Sequence, residues 1–251
     1  MIWFTIDVEE VTDMNFHILW KGVPDIEYED NIDFFLKSVK DKKIKTAFVL
    51  GSFAKKYPHI IKKIHSRGVE IACHGYYHNL VYREDFKDWS DNIKRAKELL
   101  EDMLMIDIKG YRSPSWSMPF EKRYYEELKR LGFFYSSSYF PMKNYMYGNS
   151  INRTKPFFVY TKYGKIEERP IPKYIIPFSG GFYLRILPLS ILKLLFKRNL
   201  ETVLYIHPYE LQQGNLITYF KKYTKINLDY FLAFYSFGSS RSKLKEIVKS
   251  E

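Results

Sequence analysis

The sequence predicts an α/β fold in which short parallel strands alternate with helices. Apolar runs of strand length recur along the chain, and segments with apolar residues at three- and four-residue spacing separate them. This alternation is typical of repeated βα units, which form a layered sheet or a barrel. With 46% hydrophobic residues over 251 positions and no linker-like stretch, the chain is predicted to form a single domain, residues 1–251.

Strands are predicted where apolar residues run together, and helices where they recur with helical spacing. The predicted strands are Ile2 to Asp7, Lys45 to Leu50, Val69 to His74, Ile108 to Arg112 and Leu204 to His207, with weaker candidates at Phe133 to Tyr135 and Phe157 to Tyr160. The predicted helices are Asn31 to Lys40, Phe53 to Ser66, Trp89 to Leu104 and Glu121 to Leu131. Gly68 and Gly132 are typical helix stops, and Pro119 is typical of a first helical turn.

Two later segments depart from this alternation. Residues 142–173 carry scattered Pro, Asn, Gly and Tyr residues, which predict a long loop with a hairpin. The chain beyond Gln212 reads as helical and basic, and it offers no candidate chemistry.

The net positive charge raises the question of which kind of molecule this protein binds. A net charge of +11 is compatible with nucleic acid, an anionic membrane or an acidic polymer. The lysines lie mostly as pairs on helical segments and no nucleic-acid motif accompanies them, so we predict no nucleic-acid partner. The single cysteine, Cys73, excludes an intramolecular disulfide and a CxxC metal site, and its apolar strand predicts a buried residue rather than a nucleophile.

Hydropathy predicts a cytoplasmic protein. The first residues read as a core strand rather than a secretion signal, and no apolar stretch approaches the roughly 20 residues that cross a bilayer. The segment Arg185 to Arg198 predicts a helix that either packs on the protein or lies on a membrane surface. We favour the packed helix and keep peripheral membrane association as the alternative.

The segment His74-Gly75-Tyr76-Tyr77-His78 is the leading candidate for a metal site. It directly follows an apolar run, and its two histidines are four residues apart. The first apolar run ends in Asp7-Val8-Glu9, which could supply a carboxylate. Two histidines and an acid leave a coordination position open, which is the pattern of a catalytic zinc. The spacing alone is weak evidence, and the position at strand ends strengthens it.

Four ionisable residues share that position along the chain. Asp7, His74, Arg112 and His207 each end or follow a predicted strand. In βα barrels the C-terminal ends of the strands converge on one face, where catalytic residues collect. We therefore predict that these four side chains meet.

The segments around these residues resemble the polysaccharide deacetylase superfamily, the NodB-like carbohydrate esterases of family 4. The motif-like segments are Thr5–Glu9, His74–His78, Gly110–Ser117 and Leu204–Pro208, and their order and spacing agree with that family. The combination of Thr5–Glu10, Gly180–Pro188 and His207–Glu210 is most similar to a subfamily often encoded with exopolysaccharide and exosortase systems. The resemblance implies a distorted (β/α)7 barrel, with a family-specific C-terminal part from about residue 142.

The resemblance also implies residue roles and a cofactor. A divalent metal, usually Zn²⁺, would be held by His74, His78 and an acid, and would polarise the acetyl carbonyl. Asp7 would be the general base, Arg112 would orient it, and His207 would protonate the leaving amine. The oxyanion would be held by the metal together with a backbone N–H near Pro114 and Ser115. The residues implied to contact substrate are Tyr76, Pro114 and Trp116.

The chain departs from the family pattern in two ways. The usual first motif has adjacent aspartates, whereas Val8 separates Asp7 from Glu9 here. Because residues i and i+2 of a strand face the same way, we favour Glu9 as the ligand. The alternative is that Asp7 binds the metal and Glu9 or Glu10 is the base. The second departure is the lack of a clear counterpart of the aspartate that usually tunes the catalytic histidine.

The function implied is metal-dependent removal of N-acetyl groups from an amino-sugar glycan or glycolipid precursor. This activity is that of a hydrolase of carbon–nitrogen bonds other than peptide bonds, acting on linear amides. One alternative is a cyclic-amide hydrolase of the same superfamily, similar to allantoinase. Another is a catalytically silent glycan-binding barrel. Such a protein has no chemical need for the intact set of Asp7, His74, His78, Arg112 and His207.

Overall fold

The computed structural model describes residues 1–16, 18, 20–22, 24–143, 148, 152–198, 202–214, 222, 224–225, 228–236 and 238–251. The described residues form eight strands. They are β1 (Ile2–Val8), β2 (Lys45–Val49), β3 (Glu70–Cys73), β4 (Gly110–Tyr111), β5 (Tyr135–Ser136), β6 (Phe157–Thr161), β7 (Gly164–Glu168) and β8 (Thr202–Ile206).

The α-helices within the described residues alternate with the strands over the first half of the chain. They are α1 (Tyr28–Ser38), α2 (Gly51–Lys56), α3 (Pro58–Ser66), α4 (Phe86–Leu104), α5 (Lys122–Arg130), α6 (Gly181–Ile186), α7 (Leu189–Arg198), α8 (Leu228–Phe234) and α9 (Ser239–Lys249). Short 3-10 helices lie at Val11–Asp13, Val81–Arg83, Pro114–Trp116 and Pro208–Leu211. The chain forms two compact units, one of Met1–Lys45 with Tyr174–Glu251 and one of Thr46–Lys173.

The first unit is organised by the parallel pairing of β1 with β8. The register runs from Ile2 opposite Thr202 to Ile6 opposite Ile206, and every residue of both strands is buried. Strands that are apolar on both faces are typical of a parallel sheet covered by helices. Helix α7 buries Leu192 and Phe196. The single helix predicted from Arg185 to Arg198 is divided between α6 and α7, because Leu187 is extended before Pro188.

The second unit contains a sheet in the order β2, β3, β4, β5, β7, β6. The neighbours from β2 to β7 are parallel, and β6 pairs antiparallel with β7 as a hairpin. The long helix α4 buries Trp89, Ile93 and Leu100 along one stripe, as expected of an amphipathic helix over a sheet.

All seven predicted strands are present, with ends shifted by a few residues. The hairpin predicted within residues 142–173 is also present, although residues 144–147 and 149–151 of that segment lie outside the described residues. Strand β7 was not predicted, because its sequence Gly-Lys-Ile-Glu-Glu has the polar composition of a loop. Its pairing with both β5 and β6 makes it a strand.

Two other helix predictions need correction. The predicted helix from Phe53 to Ser66 is two helices, because Pro58 cannot donate a backbone hydrogen bond and disfavours the helical conformation at Tyr57, whose φ is −127°. Pro119 does not lie in a first helical turn, since α5 begins at Lys122. The predicted stops at Gly68 and Gly132 are confirmed by their positive φ angles of 69° and 87°.

No helix among the described residues is long and apolar enough to span a bilayer. The predicted cytoplasmic location and membrane-surface association stay predictions.

Candidate active site

Asp7 and Glu9 lie at the C-terminal end of β1 and are both buried. The pairing of Ile6 with Ile206 brings His207, the residue after β8, to the same end of the first unit. His207 Nε2 lies 3.8 Å from Glu9 Oε1, and the Tyr209 hydroxyl donates a 2.8 Å hydrogen bond to that oxygen. The first unit thus brings together the predicted base, acid and carboxylate ligand.

Glu210 orients the ring of His207. Its Oε2 accepts hydrogen bonds from His207 Nδ1 at 2.8 Å and from the His207 backbone N–H at 3.1 Å. The 3-10 turn Pro208–Leu211 makes this possible by bringing the carboxylate back to the ring three residues earlier. Glu210 is therefore the carboxylate partner of the His207 ring, a contact that the sequence did not reveal.

These acids also set the charge of His207. Burial by itself lowers the pKa of a histidine, but the negative charges of Glu210, Glu9 and Asp7 outweigh it and raise the pKa of His207 to about 9. The proton on Nε2 then faces Glu9, and the one on Nδ1 is held by Glu210. The raised pKa favours the protonated ring, which is the form that can give up a proton.

In the second unit, His74 follows β3 and Arg112 follows β4. Cys73 pairs with Tyr111, so His74 and Arg112 lie side by side at the strand ends. The Nδ1 atom of His74 lies 2.8 Å from the backbone carbonyl oxygen of Arg112. A carbonyl oxygen only accepts, so Nδ1 carries the proton and Nε2 keeps its lone pair, which is the tautomer of a metal ligand.

The loop His74–His78 is a tight turn rather than a helix. Gly75 has a φ of +91°, and the carbonyl oxygens of Gly75 and Tyr76 accept hydrogen bonds from the first residues of α2. This turn places the ring centroids of His74 and His78 5.3 Å apart. Tyr76 is only 4% exposed and its ring packs against Arg95, whereas Tyr77 is 51% exposed.

Glu9, His74 and His78 make up a set of three described residues with the ligand types for a metal ion. Two imidazoles and one carboxylate are the donor set of many catalytic zinc sites. The fixed tautomer of His74 fits this role. Asp7 and Glu10 are not part of the set, and the Glu10 backbone N–H donates to Asp13 instead.

Arg112 is fully buried in the second unit. Its Nη2 donates a 3.1 Å hydrogen bond to the Ser137 hydroxyl, and its guanidinium lies 3.9 Å from the ring centroid of Phe48. Pro114 and Trp116 are buried in the following turn, where Ser115 and Trp116 have φ angles of 49° and 50°. Consecutive left-handed residues other than glycine are rare, and such strain clusters at functional sites.

A buried carboxylate that the sequence did not reveal supports this region. Glu168, at the end of β7, accepts hydrogen bonds from the backbone N–H groups of Ser138 and Tyr139 at 2.8 and 3.0 Å. The Tyr125 hydroxyl donates to its other oxygen at 3.0 Å. Glu168 therefore holds the segment that contains Ser137, the partner of Arg112.

Cys73 is confirmed as a buried structural residue. Burial raises the pKa of its thiol to about 12, so the reactive thiolate is absent at neutral pH.

Comparison with known families accounts for nearly the whole chain. Residues 23–136 match the family model described as polysaccharide deacetylase, and residues 137–250 match that of a domain of unknown function, DUF3473. The chain thus combines a polysaccharide deacetylase domain with a DUF3473 domain. The resemblance to this family and the predicted enzyme class, a hydrolase of N-acetyl amide bonds, are confirmed by that match. His207 and Glu210 lie in the DUF3473 part. No curated protein sequence matches the chain.

Solved structures confirm the predicted fold class, a distorted barrel of the NodB-like type. A Mycobacterium smegmatis protein assigned as a polysaccharide deacetylase has a TM-score of 0.56 and 23% identity, over 76% of this chain and 68% of that one. A mutant of a Bacillus anthracis family 4 pseudoenzyme, with restored enzymatic activity, has a TM-score of 0.51 and 13% identity, over 98% of this chain and 62% of that one. A Streptomyces lividans family 4 carbohydrate esterase in complex with acetate has a TM-score of 0.52 and 10% identity, over 99% of this chain and 86% of that one.

Proposed function

We propose that this protein removes N-acetyl groups from an amino-sugar glycan or a glycolipid precursor by metal-dependent hydrolysis. The observation that carries the proposal is the His74–His78 turn, in which a backbone carbonyl holds His74 in the ligand tautomer beside the second imidazole. The match of residues 23–136 to the polysaccharide deacetylase family supports the same reaction.

We assign the metal, most simply Zn²⁺, to His74, His78 and Glu9. When bound, such an ion polarises the acetyl carbonyl and lowers the pKa of water. Glu9 is preferred over Asp7 as the third ligand because it belongs to the set of described residues with suitable donors. Asp7, which is buried two residues earlier in the chain, is then available to abstract a proton.

The protein's own side chains supply the proton transfers. Asp7 takes a proton from the attacking water, and Arg112 is proposed to keep that carboxylate charged and oriented. His207 gives its Nε2 proton to the amine nitrogen as the carbon–nitrogen bond breaks. The products are acetate and a free amino sugar, so the water supplies the oxygen that acetate gains.

We propose an N-acetylated carbohydrate as the substrate. Tyr76, Pro114 and Trp116 are all buried, so they keep the substrate-contact role only as predictions from the resemblance. The exposed Tyr77 is better placed than Tyr76 to reach a substrate.

Acetate release paired with metal analysis tests the proposal. The purified protein is incubated with N-acetylglucosamine oligosaccharides, and acetate and bound metal are measured for wild type, His74→Ala, His78→Ala and a surface control, His59→Ala. We expect the first two variants to lose metal and at least about 100-fold in activity, because a three-ligand site loses a ligand. The control should behave like wild type.

Other outcomes separate the alternatives. Retention of both metal and activity in His74→Ala and His78→Ala would sink the site assignment. Turnover of cyclic amides without acetate release would favour the cyclic-amide hydrolase. Binding of oligosaccharides without turnover in the metal-loaded protein would favour a silent barrel, a state that the pseudoenzyme relative shows this fold can adopt.

A further inference from the structure

Arg185 belongs to a segment that the proposed reaction does not use. It lies in α6, within the subfamily-like stretch Gly180–Pro188, and its side chain is only 4% exposed. Its Nη1 donates a 3.1 Å hydrogen bond to Glu210 Oε1, and its Nη2 donates a 2.8 Å hydrogen bond to the carbonyl oxygen of Leu232. The guanidinium is thus fixed at two points.

The carboxylate of Glu210 connects this guanidinium to the ring of His207. One oxygen faces Arg185 and the other accepts from His207 Nδ1 at 2.8 Å, with the Glu210 side chain only 2% exposed. Because each oxygen has its own partner, the carboxylate cannot rotate without breaking a charge-assisted hydrogen bond. The position of Arg185 therefore determines where Glu210 holds the imidazole.

The same contacts keep Glu210 ionised. Burial by itself raises the pKa of a carboxyl group, but the neighbouring His207 and Arg185 outweigh it and hold the pKa of Glu210 below its usual value. A neutral carboxyl group in this position could donate to His207 Nδ1 and would no longer hold a proton on that nitrogen.

We propose that Arg185 is a positioning residue for catalysis, which through Glu210 sets the orientation of the His207 ring and the hydrogen bond of its Nδ1 atom. The inference rests on the proposed function of His207 as the acid. It assigns a role to part of the DUF3473 half, because that half supplies the histidine, its carboxylate partner and the arginine that fixes the carboxylate. It also accounts for the missing aspartate of the family pattern.

The test compares four variants of the full chain loaded with zinc. They are Glu210→Gln, Arg185→Met, the double variant that carries both changes, and Arg241→Met. Arg241 is the control for the turn itself, since its hydrogen bond goes to the backbone carbonyl of Leu211, next to Glu210, rather than to the Glu210 carboxylate. Acetate release from N-acetylglucosamine oligosaccharides gives kcat and KM, and ¹⁵N NMR of the imidazole ring reports the hydrogen bond of His207 Nδ1.

We expect Glu210→Gln to lower kcat about 100-fold, the scale of general acid catalysis, with KM within about twofold of wild type. Arg185→Met should lower kcat about tenfold and shift the His207 Nδ1 resonance. The double variant should be no slower than Glu210→Gln, because Arg185 acts only through that carboxylate. Arg241→Met should leave kcat and the resonance unchanged.

A folded Arg185→Met variant with wild-type kcat and an unchanged His207 spectrum would overturn the proposal. Losses that multiply in the double variant would also overturn it, since they would show that Arg185 acts by another route. If Arg185→Met does not fold, Arg185→Lys gives the same decision, because lysine keeps the charge and loses the two-point attachment. A wild-type protein that releases no acetate refutes the proposed function, while the NMR comparison still decides whether Arg185 sets the state of His207.

Discussion

Replacement of Glu168 by alanine should strongly destabilise the folded protein. The side chain is fully buried and accepts hydrogen bonds from Ser138 N–H, Tyr139 N–H and the Tyr125 hydroxyl. Alanine leaves all three donors without this acceptor in the interior. Glutamine keeps one acceptor oxygen for the two backbone donors, and its amide can donate to a rotated Tyr125 hydroxyl.

The structure allows a rough magnitude for each substitution. An unsatisfied buried donor costs about 1–3 kcal/mol, so three of them give about 3–9 kcal/mol. Removal of a buried charge returns part of this, because burial raises the pKa of Glu168 and so opposes its ionised form. We therefore expect the lower part of the range, about 3–4 kcal/mol, for Glu168→Ala and about 1 kcal/mol for Glu168→Gln.

Urea unfolding at pH 7, followed by circular dichroism, measures both values from the shift in midpoint at constant slope. Tyr125→Phe is the matched control, since it removes one donor and leaves the two backbone bonds in place; we expect a cost of about 1 kcal/mol. Equal costs for Glu168→Ala and Glu168→Gln would refute the reasoning, as would a cost for Glu168→Ala below about 1 kcal/mol.

Three further predictions concern Glu168, Cys73 and the two acids Asp7 and Glu9. The stability of wild type relative to Glu168→Gln should decline as the pH rises from the ordinary glutamate pKa of 4.5 through the raised pKa of folded Glu168. The reason is that the folded state binds the Glu168 proton more tightly than the unfolded state does. Urea midpoints measured across this pH range test the prediction, and a relative stability that rises with pH would contradict it. Cys73, with its pKa raised to about 12, should resist a thiol reagent in the native protein and react fully in denaturant, and rapid native labelling would contradict its burial. Asp7→Asn should keep bound metal and lose about 100-fold or more in acetate release, whereas Glu9→Gln should lose metal; the reverse pattern would exchange the two roles.

The ionisable side chains at the ends of strands are the part of the candidate site that the sequence predicts best. Parallel strands present their C-terminal ends along one edge, so an ionisable residue directly after an apolar run is a good candidate for a site. Asp7 and His207 were found in this way, and the β1–β8 register brings them together. His74 and Arg112 were found by the same rule, and β3–β4 pairing places them side by side.

Residues that act through others carried no such signal. Glu168 lies in the polar stretch of β7, which resembles a loop, and only its burial against Ser138 and Tyr139 shows what it does. Pro58 was visible in the sequence, yet the apolar periodicity on both sides of it favoured one continuous helix where the structure has two.

The sequence by itself determined the order of the βα elements, the family and the candidate side chains at the strand ends, because these depend on local periodicity and short motifs. Only the tertiary structure decided how those side chains are held. Glu210 reaches His207 through a 3-10 turn, and Arg185 approaches Glu210 from 25 residues earlier in the chain. Such pairings depend on which buried donors and acceptors the fold brings within hydrogen-bond distance, and neither composition nor spacing encodes that choice.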